Sequence, residues 1–261
     1  MTVSLERGSV HVTVSPNDGG RVSSLVVAGR ERLVVDPAQG LFGWGCYVMA
    51  PWAGRLRNAR LDWDGRSFEF EANAGAHSLH GTTINQRWNV EETTPTRVVL
   101  RADLGSPWPF GGDVTHSIEL DERSLFFEVQ VRSTETMPIQ VGWHPWFVAP
   151  VRLRHSFRAM HLRGADGIPT GELVPPTPGP HDDCFVDPLV DPVVTFDDGL
   201  SITMRSDCSH WVVYDMPSNG LCVEPQSGPP NEPNVAPVVV EPGQPFSRVF
   251  SLTFERYPQI G

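Results

Sequence analysis

The amino-acid sequence predicts an all-β protein, large and antiparallel, arranged as a sandwich or a barrel. Three observations carry that expectation. Apolar residues recur at every second position in run after run, as half-buried strands require. Asp-Gly pairs separate such runs at hairpin spacing. The chain spreads 25 Pro and 24 Gly over 261 residues, so few windows of helical length remain, and none carries a 3.6-residue apolar period.

Along the chain, Val10, Val12 and Val14 give one strand. Leu61-Asp62-Trp63 and Phe68-Glu69-Phe70, joined through Asp64-Gly65, give a hairpin. Val98, Leu100, Ala102 and Leu104 alternate next, then Leu125, Phe127, Val129 and Val131. Ile139, Val141 and Trp143 lead into Gly142-Trp143-His144-Pro145-Trp146-Phe147, where Pro145 is expected to stop the strand and fix the backbone after His144. Pro169 to Pro192, with seven Pro, is the longest irregular stretch and is expected to be an ordered surface excursion or a lid. Asp198-Gly199 joins Val194-Thr195-Phe196 to Leu200-Ser201-Ile202 in a second hairpin. Trp211, Val213 and Asp215 alternate with Val212 and Tyr214, and Leu221-Cys222-Val223 is a short apolar run before Glu224. Phe250, Leu252 and Phe254 form the last strand. No linker or low-complexity stretch divides residues 1–261, which are read as one domain with ample apolar content for a core.

Charge and composition narrow the function. A net charge of −11 opposes a nucleic-acid surface, which needs clustered positive charge to replace counterions on phosphate. A neutral small molecule fits better as partner. No run approaches the roughly 18 apolar residues of a membrane span, and Met1 to Ser9 lacks the apolar core of a signal peptide; the expectation is a soluble cytoplasmic protein. Cys46, Cys184, Cys208 and Cys222 are scattered without a C-x-x-C, which suggests buried reduced thiols. All twenty basic residues are Arg, so Schiff-base chemistry, PLP and a P-loop lysine have no amine to use. No G-x-G-x-x-G opens a dinucleotide site, and no cofactor is expected. These patterns carry no signal for oligomeric state.

Four polar segments interrupt the strand pattern. Cys222-Val223-Glu224-Pro225-Gln226-Ser227-Gly228-Pro229-Pro230-Asn231 sets a carboxylate where a strand is expected to meet a rigid loop. Partial burial would raise Glu224 toward neutrality and make it a usable general base; the other reading is a Glu capping or pairing on an exposed loop. His144, flanked by indoles, suits a general acid, or a satisfied core histidine. His77-Ser78-Leu79-His80-Gly81 offers two imidazoles as hydrogen-bond partners. Their spacing matches no zinc motif, so no metal is assigned, and His77 also reads as a loop histidine bonded to backbone. In Pro51-Trp52-Ala53-Gly54-Arg55-Leu56, Arg55 could fork onto vicinal hydroxyls or a carboxylate, or lie on the surface. His11, His116, His155, His161 and His210 are read as structural.

Taken in order, Gly54-Arg55-Leu56, His77-Ser78-Leu79-His80-Gly81, His144-Pro145-Trp146-Phe147, Asp182-Asp183-Cys184-Phe185 and Glu224-Pro225-Gln226-Ser227 resemble the aldose 1-epimerase family, the galactose mutarotase-like proteins. The resemblance spans about residues 20 to 255 and implies a large antiparallel β-sandwich. It implies Glu224 as base and His144 as acid. Arg55, His80 and one Asp of the Asp182 pair, Asp182 by position, would bind a monosaccharide, with His77 beside them. The chain departs from the family pattern at Gly54, where Asn is common, at Asp182-Asp183, where Asp-His is common, and at Trp146, where Tyr is usual. These departures bear on which sugar is used. Three rivals stand beside this reading. A hexose-phosphate mutarotase would use Arg152, Arg154 and Arg158 on one strand face. A glycoside hydrolase would pair Glu224 with Asp182. A non-catalytic sugar sensor would keep the fold without the reaction.

Overall fold

A computed structural model describes residues 2–256; Met1 and residues 257–261 of the expected domain lie outside the described residues. Two antiparallel ladders make up the body of the protein. One joins Arg97–Asp103, Asp113–Leu120, Ser124–Arg132, Phe246–Arg256 and Leu200–Ser206 in succession. The other runs from Cys46–Met49 through Gly142–Val148, Gly220–Gln226, His210–Tyr214, Asp182–Phe196 and Val151–Arg163 to Pro169–Val174. The long strand Asp182–Phe196 belongs to both, its first residues pairing with His210–Tyr214 and its last with Leu200–Ser206.

The two ladders pack face to face, as the alternating aromatics require. Phe250 of the first ladder lies with its ring centroid 5.4 Å from Phe127, 5.6 Å from Trp143 and 6.4 Å from Trp211, the last two being residues of the second ladder. Ring contacts across an interface of this kind define a sandwich, and each fully buried ring contributes roughly 1.5–3 kcal/mol of transfer free energy. Because successive side chains point to opposite faces, Trp143 and Val223 in the inter-sheet core dictate that His144 and Glu224 point the other way. There Tyr47, Met49, Trp146 and Cys222 belong to a second, smaller apolar cluster. The function-bearing face is thus set by the strand period.

Both expected hairpins form, Arg60–Trp63 with Arg66–Glu69 and Asp182–Phe196 with Leu200–Ser206. Helical structure among the described residues is confined to short turns at Pro37–Gln39, Arg57–Ala59 and Glu232–Val235. The four cysteines are buried and unpaired.

Three expectations are corrected. Pro145 does not stop its strand, which continues to Val148. The pairing with Gly220–Gln226 is made at Gly142 and resumes at Trp146, so the proline falls where that ladder asks for no N–H. Glu224 does not sit where a strand gives way to a loop; it lies inside the strand Gly220–Gln226, and Pro225 continues that strand. Most of Pro169 to Pro192 is strand, with only residues 175–181 irregular between Pro169–Val174 and Asp182–Phe196. Within the strand, Pro188 is tolerated because it falls opposite Phe157 beside a register shift, where a ladder N–H is dispensable.

Candidate active site

Four adjacent strands present one residue each to the same face. Tyr47 lies opposite His144, and Glu224 lies opposite Val212. Between the pairs Gly142 with Gln226 and Trp146 with Cys222, the register brings His144 and Glu224 face to face. The result is a contact of 3.2 Å between His144 Nε2 and Glu224 Oε1. Both residues are buried, at 5% and 2% exposure, yet both line a cavity of about 420 Å³.

The second wall comes from a two-residue ladder in which Arg55 pairs with Leu79. It brings Arg55 and His80 to the cavity together. His80 donates its backbone N–H to the Gly54 carbonyl at 3.1 Å, while the Gly54 N–H donates to His80 Nδ1 at 3.2 Å. An accepting Nδ1 leaves the imidazole proton on Nε2, so neutral His80 is a donor. Gly81 follows at φ +80, and a Cβ there would fall 2.0 Å from the Ala50 carbonyl oxygen. Only glycine lets the chain pass so close to Ala50 while holding His80 in place.

The third wall is a linked row of His, Asp and Arg side chains. Buried His181 contacts Asp183 through Nδ1 at 3.1 Å. Arg163 reaches Asp183 at 3.4 Å and donates to Asp182 at 2.7 Å. Arg55 completes it at 3.5 Å from Asp182. Both guanidinium groups facing the cavity therefore already have carboxylate partners.

Burial dominates the electrostatics. It pushes the Glu224 carboxyl well above its ordinary range, reinforced by the negative charge of Asp182 and opposed by a 3.1 Å hydrogen bond from Gln226 Nε2. It lowers His144 to about 3, helped by the positive charge of Arg21. His80 is likewise held well below its usual value by burial, then by His144 and Arg55. Asp182 is raised by desolvation against the pull of Arg55 and Arg163. The His144 and Glu224 pair thus holds one proton between an oxygen and a nitrogen, the arrangement that lets one group give a proton while the other takes one. The ligand atoms of His144, Cys222 and Glu224 lie within 4.8 Å of one another. Burial and the nearby Glu224 hold the Cys222 thiol well above its usual value, so without a cation beside it the thiol stays protonated.

Of the residues singled out in the sequence, Glu224, His144, His80, Arg55 and Asp182 meet around this cavity, and Asp183 joins them. His77 does not line it; its Nδ1 accepts the Asn58 N–H at 3.0 Å, as a loop histidine bonded to backbone. Arg152, Arg154 and Arg158 are exposed and do not line it either; they share one face of Val151–Arg163, as their spacing predicts, but that face is turned to solvent. His161, read as structural, forms part of the wall and stacks on His210 at 5.4 Å. Arg163, Gln226 and Phe42 went unrecognised. Gln226 was legible from its period-two spacing with Glu224, whereas Arg163 and Phe42 had no local signal.

Comparison with known proteins speaks to family and fold. The family described as aldose 1-epimerase matches residues 1–253. The uncharacterized protein YihR of Escherichia coli is 25% identical, covering 98% of this chain and 94% of that protein. The uncharacterized protein YphB of the same organism is 25% identical over 158 residues, so the match spans 56% of this chain and about half, 52%, of that relative. Among solved structures, a galactose mutarotase-like protein from Clostridium acetobutylicum superposes with a TM-score of 0.87 at 18% identity, covering 97% of this chain and 95% of the other. Galactose 1-epimerase from Lactobacillus acidophilus gives 0.82 at 15% identity, covering 97% and 93%. At such identities the structures speak to the fold, which is the sandwich expected from the strand pattern. No helix among the described residues is long and apolar enough to cross a membrane. With its fold shared and the family pattern matched from the first residue to beyond the last cavity residue, the chain belongs to the aldose 1-epimerase family.

Proposed function

We propose that this protein interconverts the α and β anomers of a free aldose, with Glu224 as base and His144 as acid. The observation that carries the reading is the 3.2 Å contact of these two groups at the floor of a cavity whose walls offer sugar-binding donors and acceptors. Opening the cyclic hemiacetal takes the proton of the C1 hydroxyl and delivers one to the ring oxygen as the C1–O5 bond breaks. Turning about C1–C2 and reclosing from the other face returns both protons. Neither a redox change nor a second substrate is needed, and the proton count of the pair is restored at each turnover.

Burial favours the uncharged form of the empty pair. A sugar hydroxyl donating to Glu224, together with the Gln226 amide, stabilises the carboxylate and transfers the shared proton to His144, ready for the ring oxygen. His80 Nε2–H and Arg55 steady the hydroxyls as charge moves, and Asp182 accepts from them. The existing pairing of Arg55 and Arg163 with Asp182 and Asp183 supports a neutral sugar over a phosphorylated one, because an anion would have to compete with both carboxylates. Freshly dissolved α-D-glucose and α-D-galactose, followed by optical rotation against a buffer blank, test the reading. Accelerated decay supports it; hydrolysis of oligosaccharides dependent on Glu224 and Asp182, or sugar binding without anomer exchange, would replace it.

A further inference from the structure

Beneath the acid/base pair lies a buried cation with no assigned role. Arg21 is 1% exposed, and its hydrogen bonds all go to backbone carbonyls. Nε donates to Asp18 at 2.7 Å, Nη1 to Trp44 at 3.0 Å and Nη2 to Leu41 at 3.0 Å. Its guanidinium also lies over the Trp44 and Tyr47 rings, at 4.3 and 5.1 Å from their centroids. Burying this charge is costly unless its donors are satisfied, and here the fork is spent on holding the segment from Leu41 to Trp44. The approach is close: a Cβ on Gly45 would fall 3.2 Å from Arg21 Cδ and 2.7 Å from the Val22 carbonyl oxygen.

The segment so held carries one carbonyl with two donors. Phe42 O accepts from the Tyr47 hydroxyl at 3.0 Å and from Trp146 Nε1 at 2.6 Å. Those two side chains both stack on His144. Tyr47 stacks on the imidazole at 4.8 Å with 22° between planes, and Trp146 at 5.7 Å with 23°. The Phe42 ring itself meets His80 edge-on at 5.6 Å. Both rings are thus tied to one oxygen, and that oxygen lies between two carbonyls fixed by a single side chain.

We propose that Arg21 is a positioning residue: by clamping the Leu41 to Trp44 segment it sets the Phe42 carbonyl, which through Tyr47 and Trp146 fixes the plane of the His144 imidazole against Glu224. This rests on the acid/base reading of His144 above. A fork, and not merely a positive charge, is required, since three carbonyls at fixed angles match a guanidinium and not an ammonium.

The test compares wild type with Arg21→Met, Arg21→Lys and Tyr47→Phe, the last keeping the stacked ring while removing one donor to Phe42. The readouts are kcat and KM for anomer exchange and the ring ¹⁵N signals of His144, assigned with His144→Asn. In both Arg21 variants kcat is expected to fall about tenfold to a hundredfold, as misplacement of a reacting group does, with KM changed less than about threefold. The His144 signals are expected to shift or broaden. Tyr47→Phe gives a smaller loss of kcat with the same displaced signals, and it decides the matter if the Arg21 variants do not fold. Unchanged kcat and unmoved His144 signals in a folded variant overturn the proposal, and full activity in Arg21→Lys overturns the fork. If wild type exchanges no aldose, the functional reading falls, and the His144 signals alone decide whether Arg21 sets the ring.

Discussion

Replacing Glu224 by Gln separates what this carboxyl does for the reaction from what it costs the fold. The amide keeps the shape and the place beside Gln226 Nε2 and His144 Nε2, but it cannot take the C1 hydroxyl proton. Loss of a positioned base lowers the rate by about 10²–10⁴, or roughly 3–5 kcal/mol of barrier. Stability should move the other way. Burial raises Glu224 above its unfolded value of 4.5, so the folded protein holds this proton more tightly than the unfolded chain does. Its contribution is fully present below pH 4.5 and is lost as pH rises toward the raised value, at up to about 1.4 kcal/mol per pH unit for one proton. Gln has no such proton. Urea unfolding from pH 5 to pH 8 should show a steeper loss of stability in wild type than in Glu224→Gln, and the variant should be the more stable at pH 8. Calorimetry should still detect sugar binding. A variant that kept wild-type turnover, or that lost activity while becoming less stable at pH 8, would refute the reasoning, the second by showing a structural carboxylate.

Further outcomes follow from the same geometry. Because the pair works with one proton and His144 binds a second only at about 3, the blank-corrected rate should change less than about twofold between pH 7 and pH 5; a fall centred near the 6.5 of a free imidazole would contradict the burial assigned to His144. His116 is fully buried and held neutral down to about 3, so its contribution to stability is lost as pH falls from 6.5 toward that value, amounting to about 1.5 kcal/mol by pH 5.5. In His116→Phe the drop in unfolding free energy from pH 8 to pH 5.5 should shrink by that amount, and an unchanged drop would show that the imidazole does not stay neutral. Gly81→Ala would drive a Cβ to 2.0 Å from the Ala50 carbonyl oxygen, and a loss of about 3 kcal/mol or more is expected in denaturant titration; a neutral substitution would mean that the Ala50 contact can open.

The strand period made the sandwich legible, since every second residue of Leu125 to Val131 or Phe250 to Phe254 is apolar. It failed at prolines. Pro145, Pro188 and Pro225 all lie inside strands, where the absence of an N–H is harmless only because of the pairing on that side, and pairing is a tertiary fact. The gathering of Glu224, His144, Arg55, His80 and Asp182 at one cavity was readable because motif order survives in one dimension. Arg163 was not, for its role depends on a hairpin folding over the cavity, and neither was Arg21, whose partners are carbonyls with no side-chain signature. The three arginines of Val151–Arg163 keep the common face that their spacing predicts, but whether that face meets the cavity or solvent is a tertiary fact that spacing does not carry.

Glu224 and His144 project from neighbouring central strands, whereas Arg163 belongs to the end of a long strand that turns into a peripheral hairpin. This hairpin reaches the cavity from its edge: Gly167 lies against the Arg55 guanidinium, and Asp166 pairs with Arg57. The scaffold therefore divides inheritance into two parts. His144 and Glu224 cannot drift without disturbing ladders on both sides, while the hairpin, outside buried Ile168, can be recharged at the cost of its contacts with Arg55, Arg57, Asp182 and Asp183. A laboratory selection for a new sugar would be expected to collect its changes between residues 163 and 169 and to leave the strand floor untouched.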